Sequence, residues 1–245
     1  MLVGANQLAN YHATNSTAGS LTLFNVSPLL TADGITQVAT EPLTIDQSGV
    51  PGDLILKGTI TSGPQNISAT GTITVVPASP AIVQAFGQQT INAGQGLVVQ
   101  GKVGDSDSYA QITSTGPQII KAGELIVAGG EGTNNFAEIS APEQSIEVAG
   151  NVWLTGGTGL NAGARIGGLG GMSPTPTNLV LNAGGNVILT GGTGNTATIG
   201  SPASNVLGGT IVVSSVGDTI LNSGAEIRTT GDVTLNATGP DSKII

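Results

Sequence analysis

The apolar residues of this chain fall in short runs separated by Gly, Asn, Thr and Pro. In 146–167 (IEVAGNVWLTGGTGLNAGARIG) there are three such runs: Ile146–Val148, Val152–Leu154 and Ala164–Ile166. The same three recur in order at 119–140 and 179–200, and in weaker form at 91–113 and 211–229. The third run gives the cleanest register: Ala110-Gln111-Ile112, Ala137-Glu138-Ile139, Ala164-Arg165-Ile166, Ala197-Thr198-Ile199 and Ala225-Glu226-Ile227. Its alanines step by 27, 27, 33 and 28 residues. A period in this range marks a stacked-repeat architecture. Two apolar residues flanking one polar residue describe a strand with one buried face. No segment shows a sustained 3.6-residue apolar period, so helices are not expected. The pattern predicts an all-β fold: a parallel β-helix of three-strand coils, about 27–33 residues each.

Residues 91–245 carry these repeats. Residues 1–90 read as irregular N-terminal β coils or a small β cap, because terminal repeats are atypical. Candidate strands there are 21–26, 34–38, 43–46, 53–61, 67–76 and 81–86, separated by turn residues. Gly58-Thr59-Ile60-Thr61 is echoed thirteen residues later by Gly71-Thr72-Ile73-Thr74. A small β-sandwich ahead of the solenoid is the competing reading, with 75–80 (VVPASP) as its linker.

The register also predicts which side chains meet, since successive coils lie ~4.8 Å apart. Ile112, Ile139, Ile166, Ile199 and Ile227 should form one inward ladder. Gln111, Glu138, Arg165, Thr198 and Glu226 should face outward, with Glu138 and Arg165 an exposed ion pair worth about 0–1 kcal/mol. Asn182, Asn222 and Asn236 follow strand ends and suggest turn ladders of amide hydrogen bonds.

Composition narrows the classes. Of 245 residues, 39 are Gly, none is Cys and only 9% are charged, against about 25% in an ordinary globular domain. Disorder is disfavoured because 38% of residues are hydrophobic and the β-branched runs are regular. The net charge is −9 with six Lys+Arg and no basic patch, which argues against nucleic acid as a partner. No apolar run approaches the ~20 residues needed to cross a bilayer, so membrane insertion is not expected.

Three segments now show a family likeness. Gly150-Asn151-Val152-Trp153-Leu154-Thr155-Gly156-Gly157, Gly185-Asn186-Val187-Ile188-Leu189-Thr190-Gly191-Gly192 and Gly231-Asp232-Val233-Thr234-Leu235-Asn236-Ala237 resemble the repeats of filamentous-haemagglutinin-type bacterial exoproteins. The resemblance covers about 91–238. It implies a right-handed parallel β-helix shaft, export to the cell surface or medium, and adhesion or matrix building. Host or matrix glycans are candidate partners. The Asn-Pro-Asn motif similar to that family's secretion domain is not present, so its two-partner secretion route is not implied. The last residues, GPDSKII, follow the start of another coil without a visible cap. An open solenoid edge templates pairing with other copies or neighbouring repeats.

The remaining chemistry is sparse. A polysaccharide-active β-helix enzyme needs carboxylates and basic residues clustered on one face. The densest acidic group, Glu124, Glu131, Glu138, Glu143 and Glu147, has only Arg165 near it by register, so no catalytic residue is assigned. Asp105 and Asp107 are spaced like the opening of a calcium loop, and the register brings Glu131 and Asn134 of the next coil beside them. The ligand set is incomplete, and an exposed turn is the competing reading. No other cofactor is expected. His12 has no second His or Cys with which to share a metal. Tyr109 and Phe136 each precede a triplet alanine, which predicts a stack between neighbouring coils or a carbohydrate platform. The longest insertion, 167–177, should loop off the solenoid and offers Gly170, Met172, Pro174 and Pro176 as a candidate binding loop. The expected function is a structural, non-catalytic segment of a bacterial surface fibre or adhesin. A self-assembling filament subunit is the alternative.

Overall fold

The computed structural model describes residues 2–77, 79–170 and 174–245. Among them, all regular structure is strand, and every strand-to-strand pairing is parallel. A ten-stranded sheet runs the length of the molecule. It takes one strand from each coil, among them Leu21–Asn25, Leu43–Gln47, Gln65–Ala69, Gln89–Ala93 and Pro117–Ala122. Glu143–Val148, Asn178–Ala183, Ile211–Ser215 and Val233–Ala237 continue it. The central inward residues of these nine strands are successive register partners: Leu23, Ile45, Ile67, Ile91, Ile120, Ile146, Leu181, Val213 and Leu235. All but Leu235 are completely buried. Each contributes about 2 kcal/mol relative to an exposed position. The molecule is a parallel β-helix.

The opposite wall is a fifteen-stranded sheet that forks. Near the N-terminus it consists of long strands, Leu29–Gln37 and Asp53–Ser62. The second of these pairs with two different strands. Leu54–Leu56 meet Ile73–Val75, and Thr59–Ser62 meet Ile82–Ala85. From here the wall has two arms. One continues through Gly96–Gln100, Leu125–Ala128, Val152–Thr155 and Val187–Thr190. The other continues through Ala110–Ser114, Ala137–Ser140, Ala164–Gly167, Ala197–Gly200 and Ala225–Arg228. The coil thereby changes from two walls to three. The separation follows from Pro77 and Pro80, which supply no backbone donor and cannot continue the paired strand.

Before the fork, the bend in each long strand is a bulge. The register slips between Tyr11 and Ala13 and between Asp33 and Ile35. His12, Gly34 and Gly58 sit in these slips. Gly34 and Gly58 have φ of +67° and +60°, a region costly for any side chain. Strands before residue 90 therefore belong to the same two sheets as the later coils. The echo between 58–61 and 71–74 is not a structural repeat. Ile60 pairs with Val83, whereas Ile73 pairs with Leu54, in different arms.

The predicted triplet register is present. Ala110, Ala137, Ala164, Ala197 and Ala225 are successive partners, as are Ile112, Ile139, Ile166, Ile199 and Ile227. The amide ladder lies elsewhere than expected. Asn182 and Asn236 share a column with Ser214 between them, while Asn222 bonds Thr190 in another wall. The ladder is built from glutamines inside the solenoid. Gln89 Nε2 donates to Gln65 Oε1 (2.8 Å), Gln118 to Gln89 (2.6 Å) and Gln144 to Gln118 (2.8 Å). Thr177 Oγ1 closes the row on Gln144 at 3.3 Å. These four glutamines are at most 4% exposed, so each amide depends on its neighbours for its hydrogen bonds.

Candidate functional site

The outward column of the alanine-containing arm is Gln111, Glu138, Arg165, Thr198 and Glu226. Glu138 and Arg165 pair as the register requires, with Arg165 Nη2 2.6 Å from Glu138 Oε1. The pair is not exposed, however: the two side chains retain 14% and 9% of their accessible surface. The cover comes from the connections that follow this arm. Arg165 Nη1 donates to the Gly168 carbonyl. Arg228 donates from Nε to the Ser201 carbonyl (3.0 Å) and from Nη2 to the Pro202 carbonyl (3.1 Å). Arg228 Nη1 also lies 3.1 Å from Glu226 Oε1. Both arginines of the chain thus reach the same strip, each with its own carboxylate.

Between them is a cleft of about 170 Å³, lined by Phe136, Glu138, Arg165, Thr198, Pro202 and Arg228. One of its walls is aromatic. The rings of Tyr109 and Phe136 are stacked at 4.5 Å between centroids and 9° from parallel. The stacking expected between neighbouring coils is present. The position equivalent to Phe136 in the next coil is Gly163, whose carbonyl accepts from Ala137 as the Phe136 carbonyl accepts from Ala110. The aromatic column stops there for want of a side chain.

The candidate calcium residues are arranged differently. Asp105 pairs with Lys102, and its carboxyl is held below the usual aspartate range, first by the Lys102 hydrogen bond and then by its charge. Asp107 Oδ1 accepts from Asn134 Nδ2 (2.7 Å), and Asn134 Oδ1 accepts from Asn161 Nδ2 (3.0 Å). All three have φ near +57°, the left-handed region in which Asp and Asn are the favoured residues after Gly. Glu131 is exposed and gives its backbone N–H to the Lys102 carbonyl at 3.2 Å. Adjacency across coils was therefore legible, and here it forms a turn ladder. Among the described residues, no group of three His, Cys, Asp or Glu is placed to hold a metal ion.

The described ends of the 167–177 insertion, 167–170 and 174–177, lie against each other. Thr175 donates its N–H to the Leu169 carbonyl (3.0 Å). Gly170 is exposed, Pro174 and Pro176 are half-buried, and Met172 lies outside the described residues. The acidic residues do not share one face: Glu147 pairs with Lys121 at 2.9 Å on the ten-stranded sheet, remote from Glu138. His12 Nδ1 donates to the Asp33 carbonyl at 2.6 Å, beside an open hollow that Tyr11 and Lys57 also line. Burial raises the Tyr11 hydroxyl above its ordinary pKa. A second open trough runs over Ala93, Ala122, Val148 and Ala183.

Sequence reasoning missed the cover over Arg165 and the convergence of Arg228. The only signal is positional: Arg165 lies inside one triplet and Arg228 directly after another, two coils on. Compared with known proteins, the chain matches no protein-family model, no curated protein and no solved structure.

Proposed function

We propose that this chain is a structural, non-catalytic segment of the shaft of an extracellular bacterial surface fibre or adhesin. The observation that carries the reading is the unbroken parallel register of the ten-stranded sheet over nine core-forming strands. At ~4.8 Å per strand this makes a rod about 40 Å long. Each coil contacts its neighbours along one axis, so the fold converts chain length into reach. The likeness of the Gly-Asn-Val-x-Leu segments to exoprotein repeats points the same way. The charged side chains that meet do so in pairs, such as Glu138–Arg165 and Lys121–Glu147, which supports a scaffolding role for them.

Negative-stain electron microscopy over a concentration series tests the reading. Single rods about 40 Å long are expected. Filaments of uniform width would make the chain an assembling subunit instead, and compact globules would overturn the solenoid. Release of reducing ends or unsaturated products from a panel of polysaccharides would overturn the non-catalytic assignment.

A further inference from the structure

The cleft beside Phe136 combines three features that the shaft reading does not use. The first is an aromatic face. Tyr109 covers one side of the Phe136 ring, and Gly163 puts no side chain against the other. The second is a set of polar groups lining the same cleft. Glu138 is 7% exposed, and its Oε1 receives no aligned hydrogen bond although Arg165 Nη2 lies 2.6 Å away. Thr198 Oγ1 lies 3.0 Å from both Thr196 Oγ1 and Glu226 Oε1. Donors and acceptors are thus side by side in one cleft. The third is charge balance, because Arg165 faces Glu138 and Arg228 faces Glu226.

Size and chemistry select the ligand. A cavity of about 150 Å³ holds benzene, so this open cleft of about 170 Å³ seats the face of one six-membered ring while the ring's outer substituents stay in solvent. An apolar ring would cover the Glu138–Arg165 pair and Thr198 without offering any of them a hydrogen bond. An anion would gain little from arginines that are already neutralised. A pyranose fits both demands: its C–H face lies on an aromatic ring, and its vicinal hydroxyls each donate and accept. We propose that the cleft binds a single neutral pyranose unit, presented as the terminal residue of a glycan. This goes beyond the shaft assignment and does not depend on it.

The experiment uses the whole chain, with NMR spectra recorded during titration with methyl β-D-glucopyranoside, methyl β-D-galactopyranoside and methyl α-D-mannopyranoside to tens of millimolar. At least one glycoside should shift the Phe136 ring and the Arg165 and Arg228 Nε–H signals in a saturable way. Phe136→Leu should weaken that binding about tenfold, the upper end of what an aromatic face contributes. Its melting temperature shows whether the coil remains folded. Should the variant fail to fold, the wild-type shifts alone decide. Shifts that map to the Lys121–Glu147 trough, or no saturable shift with any of the three glycosides, would each overturn the proposal.

Discussion

The coils before residue 62 and those after residue 90 bury the same kind of core, but they turn their corners differently. In the early coils one long strand is bent by a bulge at His12, Gly34 or Gly58. In the later coils the bend has opened into a loop, such as 101–109 or 129–136, and the wall is split into two arms. Coil length follows. The buried amide pairs are separated by 22 residues at Asn25–Gln47 and by 29 and 26 residues at Gln89–Gln118 and Gln118–Gln144. A bulge has no slack, because every residue around it is paired. A loop adds length outside the paired strands, where an ordered cleft can form. The cleft beside Phe136 exists because the later connections are long enough to cover the strand face.

Adding a single residue should break the symmetry between the two regions most severely. Inserting one Gly after Gly58 shifts Thr59–Ser62 by one position and turns Ile60 outward. We expect loss of cooperative folding in the N-terminal coils, read as lost amide-exchange protection over 21–62. The same insertion after Gly104, in an exposed corner loop, should change stability by less than about 0.5 kcal/mol.

The next largest effect should come from the glutamine row. Gln118→Ala removes the partner of both Gln89 and Gln144 inside the core and leaves a cavity. Unsatisfied buried amides cost about 1–3 kcal/mol each. A loss of about 3 kcal/mol in denaturant unfolding is expected, and a loss under 1 kcal/mol would show that the amides find other partners.

A gentler contrast uses one substitution at two corners. In Gly52→Ala the new Cβ would clash with the Gly49 carbonyl oxygen at φ +73°, whereas at Gly104 it would meet nothing within 4 Å at φ +97°. Backbone strain alone costs roughly 1–2 kcal/mol. The backbone clash comes on top of that strain, so Gly52→Ala should exceed Gly104→Ala by about 1 kcal/mol, measured from urea midpoints.

The smallest effect belongs to the Lys102–Asp105 pair in the same corner loop. Asp105 is depressed in the folded chain, so its contribution is present above the unfolded pKa of about 3.9 and is lost as pH falls through the folded value. Lys102→Met should return the Asp105 carboxyl toward that ordinary value in an NMR titration. Because the carboxylate is fully exposed, melting temperature should barely move.

The sequence by itself determined the alternation of buried and exposed positions, the coil period and the neighbour relations across coils. Ala137 over Ala164, Ile139 over Ile166 and Glu138 beside Arg165 follow from a two-residue side-chain period and parallel stacking. It also placed Tyr109 on Phe136 and Asp107 beside Asn134. Only the tertiary structure decided what covers those neighbours. Whether Glu138 and Arg165 lie in water or beside Gly168 and Pro202 depends on the connections that follow the strands, which have no strand period to read. The glutamine row was present as Gln65-Asn66-Ile67, Gln89-Thr90-Ile91, Gln118-Ile119-Ile120 and Gln144-Ser145-Ile146. A polar residue at an inward position reads as a surface residue until the next coil supplies its hydrogen-bond partner. The partners lie 24 to 29 residues away in the chain, so the pairing exists only once the coils are stacked.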